Sequence, residues 1–135
     1  MKRTYSSQEF CPVARTLDVI GDRWTILVLR DIAFGITKYS DLLASLDGIS
    51  TNLLSQRLKR LEAADVLERS FYSDHPPRAE YVLTEKGRGL VPVLATIAEW
   101  GYKYELEESH RNEPRVIEAM RRVQASSAPT RSRSS

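Results

Sequence analysis

One stretch narrows the possible folds more than any other. It is Ser50-Thr51-Asn52-Leu53-Leu54-Ser55-Gln56-Arg57-Leu58-Lys59-Arg60-Leu61, followed at once by two short strand-like runs split by paired prolines. Leu54, Leu58 and Leu61 recur at helical spacing with Leu53 beside them, so one side of this helix needs a core. Thr51, Asn52, Ser55, Gln56 and Lys59 fall on the far side, with Arg57 and Arg60 on its flanks and a single acid, Glu62, at its end. A helix built only for solubility mixes Glu with Lys. This one offers donors and positive charge outward, which suits a partner rich in acceptors and negative charge.

The chain before it reads as helices. Pro12 suits a first helical position, and Gly21 stops that helix after Ile20. Asp22 caps the next, Arg23 to about Ala33, whose run Trp24-Thr25-Ile26-Leu27-Val28-Leu29 is apolar nearly all round and belongs in the middle of a core. Thr37 or Ser40 caps a short third helix carrying Tyr39, Leu42, Leu43 and Leu46, and Asp47-Gly48 marks a turn before the Ser50 cap. Two short helices around a glycine-containing turn make a helix-turn-helix pattern. Val66 to Tyr72 then reads as a strand with Leu67 and Phe71 on one face. Ser73 to Pro77 reads as a loop, and Arg78 to Leu83 as the return strand. A hairpin directly after a helix-turn-helix is a wing, and its tip carries His75 and Arg78.

Beyond it, Thr84-Glu85 caps a further helix whose main part starts or kinks at Pro92. Leu90, Leu94, Ile97, Gly101 and Tyr104 form one apolar stripe, with Val91, Ala95, Ala98 and Tyr102 beside it. Val93 and Trp100 add bulk. That arc is wider than one domain core needs and points to a symmetric homodimer contact. Residues 1–10 read as a flexible arm, Pro114 to about Gln124 as an extra helix (113–124), and 125–135 as a disordered Ser- and Arg-rich tail.

With 135 residues the chain is long enough to bury a core without disulfides or metal. No apolar run can span a membrane, no signal peptide is visible, and a single cysteine fits a reducing cytoplasm. Cys11 is far from His75 and His110 in sequence, so no metal set and no cofactor are expected. There is no glycine-rich phosphate loop or nucleophile elbow, and Asp18, Asp22 and Asp31 read as caps and surface residues, so no enzyme is expected. A helical protein-interaction module without DNA binding is the rival class.

Residues 11–112 resemble the HxlR-type winged helix-turn-helix regulators, relatives of the MarR-like regulators. The resemblance is carried by Cys11-Pro12, Gly21-Asp22-Arg23-Trp24, Lys38-Tyr39-Ser40-Asp41-Leu42 and Ile49-Ser50 through Leu53. It continues with Arg57-Leu58, Leu61-Glu62, Pro76-Pro77, Glu80 to Thr84, Gly87, Leu90 to Leu94 and Trp100-Gly101. It implies a mainly α fold with a small β-hairpin wing and dimerisation helices at both termini. It also implies a homodimeric transcription factor, usually a repressor, on a pseudo-palindromic operator in double-stranded DNA. On that basis Asn52 and Gln56 are expected at adenine edges, Arg57 at guanine, and Ser50, Thr51 and Ser55 at bases or phosphate. Lys38, Lys59 and Arg60 are expected at phosphates, and Arg78 and His75 at the minor groove.

The effector is the other expectation. Cys11 precedes Pro12 at a helix N-terminus with Arg15 one turn on, and both favour a reactive sulfur. Members of the resembled family sense oxidants or electrophiles through a cysteine at this place. The alternatives are that Cys11 only packs in the interface, or that a small aromatic ligand binds among Trp24, Trp100, Tyr102 and Tyr104.

Overall fold

A computed structural model describes residues 9–74 and 77–127. The chain falls into two compact units, Met1–Arg88 and Gly89–Ser135.

The first unit opens with α1 (Pro12–Ile20), which ends at Gly21, and α2 (Arg23–Ala33), which starts at its Asp22 cap. The Asp22 carboxylate accepts the N–H groups of Trp24 and Thr25 at 2.9 and 3.2 Å, so two donors left open by the helix start are satisfied. Val28 and Leu29 are fully buried, as the apolar run requires. Next come α3 (Tyr39–Ser45) and α4 (Thr51–Ala63), joined through Gly48 at φ +91°, a left-handed conformation that a side chain would strain. Leu42 from α3 and Leu54, Leu58 and Leu61 from α4 are buried, and α2 packs against both helices. Ser50 caps α4, its Oγ accepting the Leu53 N–H at 3.1 Å. The cap of α3 differs from the sequence reading. Lys38 occupies the position and no side chain caps it, so neither Thr37 nor Ser40 has that role.

Strand β1 (Leu67–Asp74) pairs antiparallel with β2 (Pro77–Leu83) in the register Leu67 with Leu83, Arg69 with Tyr81 and Phe71 with Ala79. A bulge between Phe71 and Ser73 shifts the pairing near the tip. Both strands run further toward the tip than the sequence suggested. Pro77 can begin a strand because a first residue need not donate to the ladder. Leu67 is buried, whereas Phe71 on the same face is 57% exposed because the ribbon projects past the core there. The far edge of β2 is also bonded: the Tyr81 N–H donates to Thr37 O at 2.9 Å, and Lys38 bridges Glu80. One turn, α5 (Glu85–Arg88), closes the unit, its Gly87 N–H donating to Thr84 Oγ1 at 3.0 Å.

Two acids expected at the surface lie inside this unit. Asp31 is 2% exposed and pairs with Arg30 at 2.9 Å, and Asp18 is 9% exposed. One oxygen of each is buried without a hydrogen bond among the described residues. Sequence spacing cannot separate a capping acid from one that neighbouring helices enclose.

The second unit holds α6 (Val91–Tyr104), α7 (Glu108–Arg111) and α8 (Pro114–Ser127). α8 packs along α6, and Ala95 and Val123 are buried. The last helix extends three residues beyond the expected Gln124, so 125–127 are helical rather than disordered. Among the described residues, no helix is long and apolar enough to cross a membrane.

Candidate nucleic-acid interface

The leucine face of α4 fixes which way its other residues point. With Leu54, Leu58 and Leu61 inside, Thr51, Asn52, Gln56, Lys59 and Arg60 are exposed, and Ser50 is exposed at the helix start. The free N–H groups and dipole of that start favour an anion beside Ser50 and Thr51. Ser55 is half-buried, its Oγ 3.3 Å from the Tyr39 hydroxyl. That hydroxyl also donates to Thr51 O at 3.1 Å, so Tyr39 ties the start of α3 to the first turns of α4. The sequence reading placed Tyr39 on the third helix with Leu42, Leu43 and Leu46, and nothing in that spacing signals the hydroxyl's role.

At the other end of α4, Glu62 pairs with Arg69 of β1 at 3.2 Å. Tyr81 lies opposite Arg69. Burial pushes the Tyr81 phenol above its ordinary pKa, the Glu62 and Tyr39 groups add to that, and the Arg69 charge opposes it. The phenol therefore stays neutral between helix and wing. On the wing, Arg78 is exposed. Lys38 is exposed too, with its ammonium 5.1 Å from the centre of the Tyr72 ring. His75 lies outside the described residues.

Arg57 is placed differently from its neighbours. Its guanidinium pairs with Asp22 Oδ2 at 3.0 Å, and its side chain is only 17% exposed. Burial pushes the Asp22 carboxyl up, but the Thr25 N–H, the bonded and charged Arg57 and the Trp24 N–H together outweigh it and hold the pKa below its ordinary value. No pattern in the sequence signals that Asp22 and Arg57, far apart in the chain, meet.

Cys11 is a free, half-exposed thiol at the N-cap of α1. The four aromatic residues are divided between the two units. Trp24, stacked under Arg23 at 5.0 Å, belongs to the first unit, and the other three belong to the second. Trp100 and Tyr104 are exposed and paired at 5.5 Å. Tyr102, with Arg111 over its ring at 5.4 Å, lines an open apolar cavity of about 510 Å³ with Ala98, Gly101, Val116, Ala119 and Met120.

A buried leucine face, an exposed polar and cationic face, and a bonded hairpin beside them make a winged helix-turn-helix. The family pattern for HxlR-like helix-turn-helix proteins matches residues 19–109. The chain belongs to the HxlR family. An HxlR-family chain is a DNA-binding helix-turn-helix transcriptional regulator, and α4 with its wing is the part of this one that fits that class. The chain is 36% identical over 105 residues to sll1512 of Synechocystis sp., described as an uncharacterized HTH-type transcriptional regulator, covering 78% of each chain. Among solved structures it resembles the redox regulator HypR in its oxidized form, with 34% identity and a TM-score of 0.66 over 72% of this chain and all (100%) of that one. It also resembles the reduced form of the transcriptional regulator YodB from Bacillus subtilis, with 28% identity and a TM-score of 0.60 over 71% of this chain and 95% of that one. Helix α8 lies beyond the stretch that the HxlR pattern matches.

Proposed function

We propose that this HxlR-family protein is a homodimeric repressor that binds a pseudo-palindromic operator and is released by oxidation at Cys11. The observation that carries the DNA-binding part is the outward face of α4, where Asn52 and Gln56 are exposed between the capped helix start and the cations Lys59 and Arg60. Asn52 and Gln56 offer paired hydrogen bonds to adenine edges, and Lys59, Arg60, Lys38 and Arg78 supply charge at phosphates. Ser50 and Thr51, beside the free N–H groups of the helix start, suit a backbone phosphate, and Ser55, one turn on, suits a base edge.

The dimer is supported by apolar side chains left in water. On α1 these are Val13 and Leu17, with Phe10 just before the helix at 94% exposure. On α6, Val93, Ile97, Trp100 and Tyr104 recur at helical spacing and are all exposed. A second copy covering such faces removes them from water and sets two α4 helices about one DNA turn, ~34 Å, apart. The redox part is supported by the free Cys11 thiol, and HypR and YodB are the neighbours that favour it. Two Cys11 thiols, or one Cys11 thiol and a small thiol, join in a disulfide and pass two electrons and two protons to an oxidant such as diamide. A small aromatic effector is the second reading of the switch, and the observation for it is the cavity beside Tyr102.

The test is fluorescence anisotropy on duplex DNA across a salt series, with and without diamide. Affinity is expected to fall steeply with salt through counterion release. Diamide is expected to release the wild type but not Cys11→Ser. No binding to any duplex at low salt overturns the DNA-binding reading, and release of Cys11→Ser by diamide overturns the redox reading.

A further inference from the structure

Asp22 stands at the corner where α1 ends and α2 begins, and its carboxylate has two jobs. Oδ1 is fixed by the N–H groups of Trp24 and Thr25, which leaves Oδ2 for Arg57 on α4. Such a carboxylate is a rigid anchor. Most surface ion pairs gain little because two free side chains must be held in one geometry. Here one partner is already held by the helix it caps.

We propose that Arg57 is a positioning residue that fixes the rotation of α4 against the start of α2 through Asp22, and that it does not read a base. This rests on α4 being the helix that meets DNA. Three observations carry it. The Arg57 side chain is 17% exposed, while Asn52 and Gln56 of the same helix are exposed. Its Nε is buried and its Nη2 is held by Asp22, so that side of the fork faces the protein. Finally, α2 and α4 pack together, with Val28, Leu29 and Ile32 of one and Leu54, Leu58 and Leu61 of the other buried; apolar packing resists separation but grips rotation weakly, whereas a directed ion pair at the flank holds the angle. One residue of helix rotation swings a side chain by about 100°, so a small turn of α4 moves Asn52 and Gln56 off their base edges. Attraction to an unselected duplex rests on phosphate contacts, which read no base and so do not need Asn52 and Gln56 at their base edges. The ion pair therefore governs sequence discrimination more than general attraction to DNA.

Asparagine matches aspartate as an N-cap, so Asp22→Asn keeps the α2 start and removes only the charge partner. The test compares Asp22→Asn, Arg57→Gln, Arg57→Lys and the Asp22→Asn/Arg57→Gln double variant. The probes are a duplex that the wild type selects from a random pool and an unselected random duplex, at fixed salt. Asp22→Asn and Arg57→Gln are each expected to weaken binding to the selected duplex by roughly tenfold, and the double variant by no more than either alone, because both break one interaction. Binding of Asp22→Asn to the random duplex should not weaken, and the order of preference among single-base variants of the selected duplex should persist. Arg57→Lys keeps a charge for Asp22 but cannot grip guanine with a fork, so it should recover most of the affinity.

Three results overturn the inference: unchanged or tighter selected-duplex binding by Asp22→Asn, loss of discrimination at one base pair in Arg57→Gln, or Arg57→Lys no better than Arg57→Gln. Circular dichroism on each variant separates these outcomes from unfolding, and Arg57→Lys keeps the decision open if Arg57→Gln does not fold. A wild type that selects no duplex refutes the DNA-binding reading itself, which none of the three results does.

Discussion

Glycine to alanine in a helix ordinarily stabilises a protein, yet at Gly87 the structure demands the opposite. A Cβ built there falls on Val66 O, well inside van der Waals contact, with Leu83 Cδ2 at 3.2 Å. The obstacle is backbone, and it is not free to retreat. Val66 O also accepts the Thr84 N–H at 3.1 Å and the Thr84 hydroxyl at 3.2 Å. Forcing a methyl into a filled site costs about 1–3 kcal/mol. Moving Val66 strains hydrogen bonds worth about 0.5–1.5 kcal/mol net each. Against this, alanine gains at most about 0.5–1 kcal/mol in helix entropy. Gly87→Ala should therefore lose about 1–4 kcal/mol. Gly101 supplies the control. A Cβ there meets nothing within 4 Å, so Gly101→Ala should gain up to about 1 kcal/mol. Urea unfolding followed by circular dichroism reads both. Thermal midpoints should move oppositely, by roughly 3–5 °C per kcal/mol for a chain of this size. A Gly87→Ala protein as stable as the wild type refutes the reasoning.

Three further outcomes follow from the same geometry. Thr84→Val removes a hydroxyl that donates to Asp65 O at 2.6 Å and accepts from Gly87 N–H, and should cost about 1–2 kcal/mol in the same urea titration. Leu58→Ala at a 1% exposed site in α4 should cost about 2–5 kcal/mol, and a loss under 1 kcal/mol by calorimetry would show that the site can collapse. Because the folded Asp22 carboxyl titrates below its ordinary value of 3.8, its stabilisation is present above that pH and is lost as pH falls through the lowered folded value. The stability gap between wild type and Asp22→Asn should accordingly be constant near neutrality and close in acid, and a gap that widens in acid contradicts the assignment.

Local chemistry made much of this fold legible. The Pro12 start, the Gly21 stop and the caps at Asp22 and Ser50 each depend on a residue and its immediate neighbours, so spacing located them. The leucine period of α4 likewise gave its buried and exposed sides. What the sequence hid depends on tertiary direction. Arg57 lies in the middle of α4, near neither its Ser50 cap nor its Ala64 end, and its partner is the cap of another helix. Asp18 and Asp31 carry no mark of burial, and the Tyr39 hydroxyl finds Thr51 and Ser55 only once α3 and α4 cross. The wing was recognisable from its prolines, but its length was not, because a strand can start on Pro77 where the ladder needs no donor.

The bond from Tyr81 N–H to Thr37 O has a consequence for the order in which the molecule assembles. An isolated two-stranded hairpin is marginal in water. This one gains a third bonded edge only when the segment ahead of α3 arrives beside β2, and both α3 and α4 lie in the loop between them. Closing that loop costs chain entropy, which the packed leucines of the two helices offset only after they have docked. The helical pair is therefore expected to form early in folding and the wing late. In hydrogen exchange the Tyr81 amide should open together with the amides of α3 and α4 rather than before them.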